Sequence, residues 1–175
     1  MKLSRITALL AGAGILAGTQ AAFATQGTIT FEGEITAATC TVVNSGGPSF
    51  TVDLPKVSVN ELDASGKTAG WKQFNIELGN CSSATNVKAF FEGGSTVDAT
   101  SGRLNNMATG GATNVQVALR DTGGAGNIHV GNSSNQWFDV SSGSGTLTYE
   151  AGYWATGQAT AGLVESSVTY AIEYQ

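Results

Sequence analysis

The segment QGTITFEGEITA, residues 26–37, alternates without a fault. Ile29, Phe31, Gly33 and Ile35 fall on one side; Thr28, Thr30, Glu32 and Glu34 fall on the other. A period of two describes an extended strand with one apolar and one wet face. Such a strand needs a sheet to join, its own or a neighbour's. The far end of the chain poses the same question. VESSVTYAIEYQ, residues 164–175, also alternates and runs to the last residue.

The residues before this strand read as a leader. Lys2 and Arg5 give a positive start, residues 6–17 are apolar, and Ala22-Phe23-Ala24 is a small-x-small cleavage signature. The apolar run is too short to span a bilayer, which takes about 20 residues. Removing 24 of the 175 residues leaves 151, one ordinary domain that is exported and not embedded in a membrane. Export makes a disulfide available. Cys40 and Cys81 are the only cysteines, so only one pairing exists. Closing such a loop contributes about 4 kcal/mol on the chain-entropy model. Zinc would need further ligands, and His129 is the only histidine.

The leader holds two of the 8 basic residues, so six remain against 13 acidic ones, a formal charge of −7. That balance argues against nucleic acid or anionic lipid as a partner. Between the two ends, apolar residues alternate in short runs: Phe50, Val52, Leu54; Phe74, Ile76, Leu78; Val87, Ala89, Phe91; Val115, Val117, Leu119; Leu147, Tyr149, Ala151, Tyr153; and Val168, Tyr170, Ile172, Tyr174. Gly-rich punctuation separates them, which predicts an all-β sandwich or barrel. Residues 59–64 hold at most one helical turn, and residues 128–130 a short strand.

Catalytic and cofactor readings find little support. His129 sits in a Gly-Asn loop with no nucleophile motif around it, and Gly143-Ser144-Gly145 is not a nucleophile elbow. Residues 123–126 open no helix, so they form no phosphate cradle. Glu32 and Glu34 share the solvated face of a strand, where charge protects an exposed edge from aggregation. Tyr153 and Trp154 could stack on a sugar, which keeps open a monomeric, secreted carbohydrate-binding β-sandwich. Neither an enzyme nor a cofactor or metal is expected.

Four segments resemble, in order and spacing, the structural pilins of the chaperone–usher pathway, close to the major subunits of type 1-like fimbriae. They are GTITFEGEI ahead of Cys40, FNIELGNC ending in Cys81, YEAGYWATGQATAG, and the terminal VTYAIEYQ with its penultimate tyrosine. The resemblance implies an immunoglobulin-like β-sandwich lacking its last strand, divided into a cleaved leader (1–24), an amino-terminal donor-strand extension (25–39) and a pilin domain (40–175). It implies a subunit that polymerises by donor-strand exchange into an adhesive surface fimbria of a Gram-negative bacterium. The implied partners are identical or related pilins, a periplasmic chaperone and an outer-membrane usher. Ile29, Phe31 and Ile35 would fill a neighbour's groove, with Gly33 at a constricted pocket. Gly162 matches the terminal-motif glycine, and Val164, Val168, Tyr170, Ile172 and Tyr174 would line the groove edge that meets the chaperone. A minor adaptor or terminator pilin is the alternative within the family; no second domain of a tip adhesin is expected.

Overall fold

A computed structural model describes residues 28, 30–33, 35, 39–122 and 126–175. The chain divides into two units, Met1–Ile35 and Thr36–Gln175. The second is a two-layer β-sandwich. Its strands are β1 (Thr39–Val42), β2 (Thr68–Ser82), β3 (Asn86–Phe91), β4 (Val97–Asp98), β5 (Arg103–Asn105), β6 (Val115–Asp121), β7 (Asn127–Ile128), β8 (Phe138–Asp139), β9 (Gly145–Ala155) and β10 (Tyr170–Tyr174). The larger sheet has the order β1-β2-β9-β6-β5-β4, with β7 also on β6; the smaller has the order β10-β3-β8. Every pairing is antiparallel.

Period-two alternation produces the core. On β2, Ile76 and Leu78 are buried, and so are Leu147 and Tyr149 on β9 and Val87, Ala89 and Phe91 on β3. Outward neighbours such as Glu77, Lys88, Thr148 and Glu150 are polar, as a half-solvated antiparallel sheet requires, with Phe90 an exception. Tyr149 is the hub. Its ring lies 5.2 Å from Phe91, 5.6 Å from Phe138 and 5.9 Å from Phe74. Its hydroxyl crosses between the layers to accept the Ala89 N–H at 2.9 Å. Cys40 and Cys81 are bonded across neighbouring strands β1 and β2, where the ladder carries a bulge.

Two expectations about strands are corrected. The run Phe50-Val52-Leu54 is extended but joins no ladder, and the terminal ladder starts at Tyr170, so Val168 lies ahead of it. The helical turn is a 3₁₀ turn, Val59–Leu62, capped by Ser58, whose hydroxyl accepts the Asn60 N–H while Glu61 accepts the Ser58 N–H. The strand entering Cys81 begins at Thr68, six residues before Phe74. The short strands β4, β5 and β8 have too few residues to show a period.

Removing the Tyr149 hydroxyl would orphan the Ala89 N–H in the core. Tyr149→Phe is expected to cost about 1–3 kcal/mol, read as a lower urea midpoint with an unchanged m-value.

Candidate functional site: an open groove between two unpaired edges

The two layers differ in length. β2 runs for 15 residues and β9 for 11, whereas β3, β8 and β10 have 6, 2 and 5. The smaller sheet therefore covers one end of the larger sheet's apolar face. Over the other end lie two extended segments, residues 50–58 and 162–169, with a groove between them.

The edges of these segments are unsatisfied. Successive residues of a strand direct their main-chain groups to opposite edges. In 162–169 the odd-numbered residues are held from one side: Leu163 O accepts from Ala112 N–H at 2.9 Å, Glu165 O from Met107 N–H at 2.7 Å, Ser167 O from the Thr96 hydroxyl at 2.8 Å, and Thr169 O from Glu92 N–H at 2.9 Å. Asn106 fastens the same edge, donating to Leu163 O and accepting from Glu165 N–H, both at 2.9 Å. Among the described residues, no backbone–backbone hydrogen bond involves Val164, Ser166 or Val168, and none involves residues 50–57. Main-chain donors and acceptors seldom go unpaired. Two facing rows of them mark the place of a missing strand.

The groove is apolar and has two lobes. The first, about 520 Å³, is walled by Phe50, Val52 and Val168 and floored by Phe74, Ile76, Leu104, Val117 and Leu119. The second, about 450 Å³, lies among Val57, Leu62, Val115, Ala159 and Gly162. Leu54, Tyr153 and Val164 border both lobes and form a waist. Asp53 and Glu165 stand at the rim, one on each side. Phe50 and Tyr170 close the first end, with ring centroids 6.4 Å apart.

Of the groove-edge residues expected from sequence, Gly162, Val164, Val168 and Tyr170 line the groove, whereas Ile172 and Tyr174 lie beyond it on β10, paired with β3. Val164, Val168, Tyr170, Ile172 and Tyr174 all pack against the main core. Tyr170 donates its hydroxyl to Pro48 O at 2.8 Å, and the Tyr174 hydroxyl accepts the Cys40 N–H at 2.9 Å, next to the disulfide. Gly162 passes so close to the loop at Gly111 and Ala112 that a Cβ there would overlap both, coming 2.7 Å from Gly111 C. In the first unit, Phe31 and Ile35 are exposed, and nothing lies within 4 Å of a Cβ built on Gly33. Ile29 and Glu34 fall outside the described residues.

The alternating run that ends at Tyr153 marks it as inward-facing but not as the residue shared by both lobes, and Asn106 as an anchor and Ser166 on the wall were not anticipated from sequence. Tyr153 and Trp154 do not form one sugar platform. Tyr153 faces the groove, while Trp154 on the opposite face lies under the Arg103 guanidinium at 3.8 Å. His129 is exposed, its Nδ1 3.1 Å from Val130 O. No helix among the described residues is long and apolar enough to cross a membrane.

Gly162→Ala is expected to push residues 162–169 off their anchors and lower the yield of folded protein, whereas Ser167→Ala, at an exposed site, should not. Comparing soluble periplasmic yields of the two variants checks this.

The fimbrial protein family model matches residues 29–175. The chain is 46% identical over 162 residues to the major fimbrial subunit SMF-1 of Stenotrophomonas maltophilia, covering 88% of this chain and 95% of that one. It is 41% identical over 173 residues to the F17 fimbrial protein of Escherichia coli, covering 93% and 96%. Its fold is similar to the crystal structure of the P pilus rod subunit PapA, with a TM-score of 0.61 at 21% identity over 78% of this chain and 99% of that one. Family match, relatives and incomplete sandwich agree: this chain belongs to the fimbrial protein family and is a structural subunit of surface fimbriae.

Proposed function

We propose that subunits of this fimbria are linked by strand addition, with the extension of one copy (residues 25–39) completing the sandwich of the next. The observation that carries the reading is the pair of unpaired edges flanking an apolar groove. The chain itself supplies a strand of matching pattern in residues 26–37. Adding a strand to an exposed edge gives affinity through main-chain bonds and specificity through alternate side chains. Before assembly, a periplasmic chaperone occupies the groove along the terminal strand, and an outer-membrane usher is where the exchange occurs. Residues 1–24 act as the leader and are removed on export. The likeness to a major fimbrial subunit supports a repeating subunit over an adaptor or terminator.

The lobes suggest a register. Gly33, with no side chain, suits the waist at Leu54, Tyr153 and Val164. Two large apolar residues precede Gly33 in the donor face and one follows it. Phe31 and Ile29 then enter the first lobe and Ile35 the second. The donor runs antiparallel to residues 162–169, the more stable arrangement per residue. Phe31 falls beside Val52 and Ser166, whose short side chain leaves room for the ring. The Ser166 Oγ is buried there with no partner. Ile29 falls between Phe50 and Val168. Burying Ile29, Phe31 and Ile35 contributes about 1.5–3 kcal/mol each, and each backbone bond about 0.5–1.5 kcal/mol.

Deleting residues 25–34 should give a domain that still binds its chaperone but cannot cap another subunit. Gly33→Leu should block polymerisation, while Thr30→Val, on the outward face, should be tolerated. SDS-resistant, heat-dissociable ladders on gels provide the measurement; normal ladders from the truncated chain would overturn the reading.

A further inference from the structure

The outward face of the added strand meets charge. With Gly33 at the waist, the donor residue before it lies between the rim residues next to Leu54 and Val164. Those are Asp53 and Glu165, both exposed and both lining the groove mouth. The donor residue is Glu32. Paired strands lie about 4.8 Å apart, and directly opposed side chains have Cβ atoms about 4.5–5.5 Å apart. Three carboxylates then stand in a row across three strands.

We propose that Glu32 weakens the joint between copies of this chain. Seated between Asp53 and Glu165 of the accepting subunit, it makes strand addition less favourable at neutral pH and more favourable in acid or high salt. The inference rests on the strand-addition reading and on its register.

The other charges nearby do not cancel this row. Lys56, on the same lip as Asp53, lies three residues further along and falls nearer Glu34 than Glu32. Glu92, on the strand beyond the other lip, accepts the Thr169 hydroxyl at 2.8 Å and adds negative charge to that side. Lys88 is 3.3 Å from Glu173 and its ammonium lies over Trp137, so that cation is already engaged. Glu32 and Glu34 thus differ: the first has acidic neighbours on both sides, the second a cation within reach. A strand that only needed protection from aggregation would gain equally from a charge at either place. The physical consequence is a joint whose apolar face attracts and whose outer face repels, with the balance set by protonation.

Like charges directly opposed across strands cost about 0.2–1 kcal/mol per pair, so two pairs correspond to about twofold to thirtyfold in affinity. The test is a competition. A subunit lacking residues 25–34 and held by its chaperone is offered equal amounts of two peptides of residues 25–39, wild type and Glu32→Gln. The incorporated ratio is read by mass spectrometry. Glu32→Gln is expected to win about twofold to thirtyfold at pH 7.5 and low salt. Its advantage should shrink towards unity at 1 M salt, where the screening length is about 3 Å, and near pH 4, where a free glutamate is about half protonated. An accepting subunit carrying Asp53→Asn and Glu165→Gln should show no preference. Glu34→Gln should gain nothing over wild type.

Equal incorporation of wild type and Glu32→Gln would overturn the proposal. So would a preference that survives on the neutralised acceptor, or an equal gain from Glu34→Gln. Incorporation of neither peptide would overturn strand addition itself, a separate outcome.

Discussion

An apolar sheet face must be covered, and here one layer is too short to cover the other. The larger sheet offers β2 and β9 at 15 and 11 residues; the opposing layer answers with strands of 2 to 6. Every feature of the groove follows from that mismatch. Ile76, Leu104, Val117 and Leu119, buried members of the main core, form its floor. Residues 50–58 and 162–169 become its lips because each is extended at the sheet's border without a ladder partner on the inner side. Water cannot satisfy such a place well, since it must solvate main-chain groups and wet an apolar floor together. A strand with one apolar and one polar face answers both needs.

One lip is held from outside. The carboxyl-terminal lip is anchored at Ala112, Met107, Thr96 and Glu92, and Asn106 bonds to it twice. Gly162 allows its first residue to approach the Gly111–Ala112 backbone. Beyond the lip, β10 is committed to β3, and Tyr174 ties the chain end to Cys40 beside the disulfide. The aromatic cluster around Tyr149 secures the complete half of the sandwich. The fold is thus firm where both layers are present and open where one is lacking. The carboxyl-terminal wall of the groove is tethered from the side away from it.

Much of this was legible in sequence, for reasons that can be named. Residues 74–78, 87–91, 147–153 and 168–174 alternate because each has one face against the core, and a period of two survives any packing detail. The disulfide was legible because two cysteines allow one pairing. Residues 50–54 show the limit of the method. Alternation reports that Phe50, Val52 and Leu54 face inward, and they do, but it carries no information on whether the main chain has a partner. A strand and the lip of a groove look the same in sequence. The waist at Tyr153 was illegible for a related reason. It depends on which residues of β9, the lip and the opposite lip meet in space, and those lie 99 and 11 positions from Tyr153. Ser166 is a faint exception, a small polar residue where the pattern Val164, Val168 asks for a third apolar one.

The two faces of the added strand play unequal parts in the joint. In the proposed register the inward face is fixed by shape: glycine at the waist, bulk on either side, and a floor built from the domain's own core. Changing it means changing the core, and large shape changes in a packed interior are destabilising. Because the strand completes that core, its departure amounts to partial unfolding of the acceptor, so the joint is governed by a high barrier more than by contact area. The outward face is under no such constraint. Its residues touch solvent and the rims, and their identity can vary without disturbing the fit. A chain that must keep a strand exposed before assembly, yet part with solvent after it, has only this face on which to place charge. Charge there holds free extensions apart in solution and opposes the rims once seated. On the proposed register the same carboxylate serves solubility before the joint forms and limits its strength afterwards.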